Sequence, residues 1–286
     1  MGKIRQTVSV SKLRKQKQVF ASFVTKASMR TSSDPLVLPQ KYTDPKDIEV
    51  AAWIASVFSF GNVKSFLPLL HSFHDVWHAQ PYAYIKAQKF KKDKFWKSAY
   101  YRWYTSKDIL KMLESTSVIL QKYDSLYHHA KYVFDASNKT MQGFLLDYAQ
   151  AWRKVLITKS RSRGLLFMVP DPTQKSTMKR MLMFLRWMIH SKKPDFGLWT
   201  FAEDLTLWIA LDTHMFQFAH QFGWTKDKTP SMSTVQEISE NMALVYPKDP
   251  MALDFVLTHL GISGQCKHQK TSSCPSCPLK SICNHA

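Results

Sequence analysis

The stretch DTHMFQFAHQFG, residues 212–223, contains the signals of one amphipathic helix. Asp212 is a residue type that caps helix N-termini, and Gly223 is the type that most often ends a helix in the left-handed conformation. Apolar side chains recur between them at intervals of three and four, which places them on one helix face. These positions are Met215, Phe218, Ala219 and Phe222. A helix of this kind must bury its apolar face against another element.

Helical spacing recurs along most of the chain. Residues 47–60 are apolar nearly all round, which predicts a helix surrounded by other helices. Residues 178–189 show one apolar face, and Ser233 can cap a further helix. A last helix is predicted from Asp249 to Gly261. Alternation with period two is scarce and the chain has only 8 glycines, so the predicted fold class is all-α.

The chain is strongly basic. Its 286 residues include 40 Lys and Arg against 21 Asp and Glu, a formal net charge of +19. Such a charge repels itself, so a polyanionic partner is the natural explanation. Nucleic acid leads the candidates because neutralised phosphates release counterions. The alternatives are a basic balance that serves only solubility, or binding to anionic lipid.

Neither a membrane span nor a secretory signal is evident. No apolar run reaches about eighteen residues, and the best stretch, residues 51–70, is interrupted by Gly61, Asn62, Lys64 and Pro68. The basic N-terminus has no apolar segment behind it. We therefore expect a cytoplasmic protein without a membrane partner, associated with the nucleoid if the partner is DNA.

All 4 cysteines lie in one C-terminal segment. They are separated by gaps of seven, two and five residues, at Cys266, Cys274, Cys277 and Cys283. In a cytoplasmic chain this concentration of thiols predicts a metal site rather than disulfides. Four thiolates can hold a 4Fe–4S cluster or a zinc ion, and His268 and His285 are further candidate zinc ligands. Free thiols are the third alternative.

The 7-2-5 spacing resembles the 6-2-5 cluster loop of endonuclease III and the adenine glycosylases, members of the helix-hairpin-helix (HhH-GPD) DNA glycosylase superfamily. The loop also follows a predicted helix that ends in His259-Leu260-Gly261. The extra residue in the first gap departs from that pattern and leaves zinc open. The resemblance implies a 4Fe–4S cluster that ties down a loop whose lysines face phosphates.

A second resemblance lies in Leu211-Asp212-Thr213-His214, which is similar to the (V/L)-D-T-H-(I/V) segment of the same superfamily. There the aspartate caps a helix and is catalytic. Upstream, Lys179 stands at the start of a predicted helix, where bifunctional members carry a nucleophilic lysine. The gap between Lys179 and Asp212 is closer to that of the archaeal 8-oxoguanine glycosylases than to endonuclease III. The resemblance implies that Lys179 and Asp212 are both catalytic residues. The alternatives are that Lys179 is a solvated surface lysine and that Asp212 is only an N-cap.

Most of the chain also resembles an uncharacterised bacterial family related to these enzymes, through features such as Phe60-Gly61-Asn62 and Tyr101-Arg102. One departure is the absence of the glycine-rich hairpin L-P-G-x-G that precedes the lysine in the superfamily. Residues 169–175 fill its place, where Thr173 and Lys175 are the candidates to bind phosphate.

Other DNA contacts are predicted around these motifs. Arg180 and Arg186 follow Lys179 on the same helix and are candidate DNA ligands. Phe60 is a candidate to stack on an extruded base or to fill the gap it leaves. Asn62 is a candidate to probe the orphaned partner base.

The resemblance implies a two-domain helix-hairpin-helix glycosylase architecture. Residues 45–210 would form a helical barrel domain with the hairpin-like element, and residues 1–44 with 211–286 a second helical domain that carries the cluster loop, 266–283. The implied function is removal of a damaged base, with 8-oxoguanine a candidate, from double-stranded DNA in base excision repair, with AP-lyase activity through a lysine Schiff base. The alternatives are a non-catalytic DNA- or RNA-binding module of this fold and a zinc-stabilised interaction protein.

Overall fold

The computed structural model describes residues 9–26, 34–158 and 161–285. Within these ranges the chain is helical, and its one strand-like feature is an isolated antiparallel bridge between Tyr101 and Tyr104. The predicted all-α class is confirmed. No helix in the described ranges is both long enough and apolar enough to cross a membrane.

The α-helices of the described residues are α1 (Val10–Lys26), α2 (Pro45–Phe58), α3 (Val63–Val76), α4 (Pro81–Lys86), α5 (Lys94–Ser98), α6 (Ser106–Tyr123), α7 (Leu126–Ala136), α8 (Met141–Leu156), α9 (Arg163–Met168), α10 (Lys179–Ile189), α11 (Thr213–Phe222), α12 (Met232–Val245) and α13 (Pro250–Ile262). Short 3-10 helices lie at Pro35–Val37, Pro39–Lys41, Lys89–Lys91, Thr200–Ala202, Cys274–Ser276 and Lys280–Ile282.

Local sequence signals predict most ends of the last three helices. Asp212 caps α11, which ends at Gly223 with φ of 76°. Asp249 caps α13 with its side chain. The prediction that Ser233 caps α12 is wrong, because Ser231 occupies that position and forms a capping box with the third helical residue. A capping box satisfies two helix-end N–H groups at once, which favours the earlier start.

The described chain divides into two compact units. The end unit contains the described residues of 1–29, 175–179 and 207–286, and the central unit those of 30–174 and 180–206. Residues 34–44, expected in the second domain, therefore belong to the central unit, where the fully buried Leu36 and Leu38 lie in segments that contact α2. Residues 1–8 and 27–33 of that expected domain lie outside the described residues.

Helix α2 lies in the core of the central unit. The Asp44 side chain caps it, Pro45 is its first residue, and every residue from Ile48 to Phe58 is buried. Trp53 stacks on Trp152 of α8, with ring centroids 4.0 Å apart. The helix surrounded by other helices, predicted for residues 47–60, is confirmed with slightly earlier ends. Large aromatic side chains account for much of the area this unit removes from water.

A carboxylate lies within this core. Glu49 is 2% exposed, and its two oxygens accept from Trp199 Nε1 at 2.9 Å and from the Tyr127 N–H at 3.1 Å. Burial raises the pKa of Glu49 to about 7, and these hydrogen bonds oppose only part of the rise. On the same helix as Tyr127, burial lowers the pKa of His129 to about 4. The core thus holds two titratable groups whose charged forms are disfavoured.

The end unit is organised by contacts of α1 with the last residue of α11 and with Trp224, which follows that helix. Gln16 is fully buried; its Nε2 donates to the Phe222 carbonyl at 2.8 Å and its Oε1 accepts from Trp224 Nε1 at 3.1 Å. Phe20 packs edge-on against Phe222, with centroids 5.2 Å apart. These contacts hold the C-terminal end of α11 in place, and with it the helix that Asp212 caps.

Candidate functional site

Lys179 is the first residue of α10 and is half-buried. The preceding residue, Met178, is buried and has φ of 49°, in the left-handed region that non-glycine residues seldom adopt. Among the described residues the Lys179 ammonium group has no hydrogen-bond or ion-pair partner. Its amine is therefore not committed to a structural contact there.

Asp212 is the N-cap of α11, as the sequence predicts. Its Oδ1 accepts the Met215 N–H at 2.8 Å, and the residue is half-buried. Its other oxygen accepts no hydrogen bond in the part of the chain that the structure describes. One carboxylate can thus cap the helix and still offer an oxygen to a substrate.

Lys179 and Asp212 belong to the same compact unit, although 32 residues separate them in the sequence. The short segment 175–179 belongs to the end unit, whereas the rest of α10 belongs to the central unit. Both residues also stand at the N-terminal ends of helices, where the backbone N–H groups and the helix dipole favour negative charge such as phosphate.

In the segment that replaces the glycine-rich hairpin, some polar groups are hydrogen-bonded within the protein. The Thr173 hydroxyl and N–H both donate to Asp171 Oδ1, at 2.6 and 3.0 Å. Asp171 also pairs with Arg153 at 3.2 Å. Both hydrogen-bond donors of Thr173, which the sequence predicts to bind phosphate, are therefore occupied by Asp171. Lys175 is exposed and remains a candidate phosphate ligand.

The two arginines predicted to contact DNA are buried instead. Arg180 is 9% exposed, donates to the Phe167 carbonyl, and places its guanidinium carbon 3.7 Å from the Phe167 ring centroid. Arg186 is 6% exposed, and its Nε lies 3.3 Å from Asp195 Oδ2. The same carboxylate oxygen lies 2.7 Å from His190 Nδ1. Burial separates both guanidinium groups from solvent, and the contacts that the structure shows for them are within the protein.

Phe60 and Asn62 flank Gly61 in the short segment that connects α2 to α3. Phe60 is half-buried, and its ring packs edge-on against Tyr101 and Phe167 at centroid distances of 4.9 and 4.8 Å. Asn62 is exposed and caps α3 by accepting the Lys64 N–H at 2.9 Å. The Asn62 amide nitrogen donates to no protein acceptor among the described residues.

The four cysteines are free thiols and each is partly exposed. Cys274 Sγ accepts the Thr271 N–H at 3.3 Å, and Cys283 Sγ accepts the His285 N–H at 3.5 Å. Backbone N–H groups directed at sulfur stabilise the thiolate form of a cysteine, and the thiolate is the form that binds metal.

The electrostatic environment of Cys266 includes the other three cysteines. Burial raises the pKa of Cys266, and the charges of the other three cysteines raise it further. Among the described residues, no three His, Cys, Asp or Glu side chains are grouped tightly enough to hold a metal ion. The donor set therefore fits a tetrathiolate centre in chemistry and neighbourhood, and binding would have to draw the sulfurs closer together.

The cysteine loop is anchored to the helices of its unit. The Asn284 N–H donates to the Gln221 carbonyl at 2.9 Å, and its Nδ2 donates to the His220 carbonyl at 3.2 Å. Its Oδ1 accepts from Lys12 Nζ at 2.8 Å. Leu279, within the loop, is 2% exposed. The loop thus has an apolar anchor and polar contacts with α1 and α11.

A histidine pair joins the loop to the beginning of α11. His214 Nδ1 and His268 Nε2 are 3.0 Å apart, and the Phe218 ring lies edge-on to His268 at 4.5 Å. A side chain at Gly261 would collide with the His214 ring, so the glycine permits the close approach of α13. The sequence pattern did not predict this pair, because the partners are far apart along the chain. It leaves His268 without a free Nε2 for zinc.

Comparison with known proteins identifies one family. No curated protein and no solved structure matches the chain. A family model described as a protein of unknown function (DUF2400) matches residues 34–263. The match includes Lys179 and Asp212 and ends before Cys266. Because it spans most of the chain, the protein belongs to the DUF2400 family, whose function is unknown.

Proposed function

We propose that this protein is a DNA glycosylase with AP-lyase activity that removes a damaged base from double-stranded DNA, on the chromosome within the nucleoid. The observation that carries the proposal is that one compact unit, in a chain with a net charge of +19, contains both an amine and a carboxylate oxygen without a hydrogen-bond partner among the described residues, those of Lys179 and Asp212. The resemblance of both residues to glycosylase motifs adds to it.

The chemistry follows from the two residue types. The neutral amine of Lys179 would attack C1′ of an extruded nucleotide, and the glycosidic C–N bond would break with its electron pair leaving on the protonated base. The Asp212 carboxylate would stabilise positive charge on the sugar and accept the proton that the attacking nitrogen loses. The sugar ring would then open: the C1′–O4′ bond breaks, O4′ takes the proton held by Asp212, and C1′ and the lysine nitrogen form a protonated imine. Loss of a C2′ proton from this imine permits β-elimination of the 3′ phosphate, which cleaves the strand.

The four cysteines would hold a 4Fe–4S cluster, with zinc as the alternative. The support is the pair of backbone N–H groups directed at two of the sulfurs, those of Cys274 and Cys283, and the absence of any acidic residue between Cys266 and Cys283. The role of the centre would be structural: it would fix the loop and present Lys267, Lys270 and Lys280 to phosphates.

Borohydride trapping tests the lysine mechanism. Duplexes that carry 8-oxoguanine, thymine glycol, uracil or a plain abasic site are incubated with the protein under borohydride. We expect a covalent protein–DNA band with one damaged base, and its loss in Lys179→Ala. Lys175→Ala is the matched control, because it removes an exposed lysine from the same segment; it should weaken binding and keep the band.

A non-catalytic DNA- or RNA-binding module is the second candidate. The specific observation in its favour is the engagement of both Thr173 donors by Asp171 where the superfamily offers a glycine-rich phosphate loop. Tight, salt-sensitive binding to every duplex without a trapped band on any lesion would support this module and refute the lysine mechanism. A preparation that contains zinc and no iron, and that does not bind nucleic acid, would instead support a zinc-stabilised interaction protein.

A further inference from the structure

The turn between Tyr101 and Tyr104 holds two exposed side chains between two buried tyrosines. Two backbone hydrogen bonds, of 2.9 and 2.8 Å, join these tyrosines. Both tyrosines are buried; the Tyr104 hydroxyl donates to the Val57 carbonyl in the last turn of α2, and the Tyr101 hydroxyl donates to the carbonyl of Phe60, which follows that helix. Arg102 and Trp103 form the tip of the turn, and both are exposed. Arg102 has φ of 54°, a conformation that non-glycine residues adopt only where the surrounding structure holds it.

Arginine side chains stack on the aromatic rings at this tip. The guanidinium carbon of Arg163 lies 4.3 Å from the Trp103 ring centroid. That of Arg102 lies 6.0 Å from Trp103 and 5.7 Å from Phe60. Trp103 is 37% exposed although its edge packs against Phe167 at 4.6 Å. A guanidinium stacked on an indole is a flat cationic surface that is already ordered before any ligand arrives.

The two segments that form this surface carry only positive formal charges. Residues 97–104 and 161–168 contain Lys and Arg but no Asp or Glu. Asp108, which follows the first segment, is 3% exposed, and its oxygens accept from Thr105 and Ser162. That carboxylate therefore fixes the two segments to each other and does not reach the surface to neutralise it.

Tyr100, which directly precedes the turn, is 64% exposed. We propose that Tyr100, Arg102, Trp103 and Arg163, together the Trp103 surface, bind an unstacked base of a nucleic acid and its adjacent phosphates. An unpaired base stacks on indole, phenol or guanidinium planes, and arginine pairs with phosphate. The all-positive charge of both segments, in a chain of +19, matches a polyanion better than a protein surface. The inference shares the nucleic-acid partner with the proposed function, but it concerns the central unit and needs no base excision.

Equilibrium binding of two labelled probes tests the proposal on the full-length protein. One probe is a single-stranded thymidine oligonucleotide; the other has the same length and phosphates but carries abasic sites in place of the bases. Trp103→Leu should bind the thymidine probe about tenfold more weakly, because one base stack is lost, and the abasic probe within about twofold of wild type. Trp103→Phe keeps a ring and should bind both probes nearly as well as wild type.

Two matched pairs sharpen the test. Tyr100→Ala should weaken binding of the thymidine probe, whereas Tyr132→Ala should not, although both tyrosines are 64% exposed. Arg163→Gln should lower the dependence of log Kd on log salt by about one, whereas Arg163→Lys should keep that slope. Each variant is compared with wild type by its urea unfolding midpoint, so that misfolding is seen separately.

Wild-type affinity of a folded Trp103→Leu for the thymidine probe would overturn the proposal; a protein partner at this surface predicts that result. Equal weakening for both probes would also overturn it, because the indole would then serve only to hold the arginines. Undamaged single strands are not glycosylase substrates, so failure of the trapping experiment leaves this result unaffected.

Discussion

Glu49 and His129 contribute to the pH dependence of folding with opposite signs. In the folded chain burial raises the pKa of Glu49 from 4.5 to about 7. The folded state therefore holds this proton more tightly than the unfolded state does. Its stabilising effect is fully present below pH 4.5 and is lost as the pH rises through about 7. The difference amounts to about 3 kcal/mol over the whole range, of which about 2 kcal/mol is lost between pH 4.5 and 6.5.

His129 behaves in the reverse way. Burial lowers its pKa from 6.5 to about 4, so the unfolded state binds the proton more tightly. The contribution of His129 is fully present above pH 6.5 and is lost as the pH falls through about 4. Between pH 4.5 and 6.5 it rises by about 2 kcal/mol, which offsets the Glu49 effect. We therefore expect the stability contributed by this pair to be nearly flat in that window.

Urea unfolding at several pH values, followed by tryptophan fluorescence, separates the contribution of Glu49 from that of His129. Glu49→Gln should show a free energy of unfolding that rises by about 2 kcal/mol from pH 4.5 to 6.5 relative to wild type. The glutamine amide faces the Tyr127 N–H, so a loss of about 1–3 kcal/mol at every pH is also expected; the slope is the readout. Glu203→Gln, at an exposed position, should follow the wild-type profile. A Glu49→Gln profile parallel to wild type would refute the reasoning.

Three further outcomes are expected. Asp195→Asn removes a carboxylate charge that lies beside the buried Arg186, and it should lower the free energy of unfolding by about 3–5 kcal/mol. Asp135→Asn, in an exposed ion pair of 2.6 Å, should change it by less than about 0.5 kcal/mol, and similar losses for the two variants in urea unfolding would contradict this. Gly61 has φ of 87°, and a Cβ added there would lie 2.7 Å from a guanidinium nitrogen of Arg102, whereas Gly264 has φ of 74° and a Cβ added there would have no heavy atom within 4 Å. Gly61→Ala should therefore lower the unfolding midpoint more than Gly264→Ala does, and equal midpoints would contradict this. Cys277→Ser should lower the iron or zinc content of the purified protein, and an unchanged content would exclude a four-cysteine site.

The helical class and most helix ends follow from short stretches of sequence. Asp212 with Gly223, and Asp249 with the proline after it, are recognisable because a cap and its helix lie within a few residues of each other. Where two capping residues compete within such a stretch, as Ser231 and Ser233 do, the pattern alone does not choose between them. The clustering of the cysteines is equally visible, since their spacing along the chain limits how far apart the sulfurs can lie.

The sequence by itself thus determined the fold class, the caps of α11 and α13 and the concentration of thiols, all of which depend on neighbours along the chain. Only the tertiary structure decided which charges face solvent. It buried Arg180 and Arg186, which the sequence could not distinguish from exposed arginines, and it left Arg102 and Arg163 on the surface. It also brought His268 to His214. The physical reason is that burial and side-chain pairing depend on which distant segments pack together, whereas capping and helical periodicity depend on residues within one or two turns.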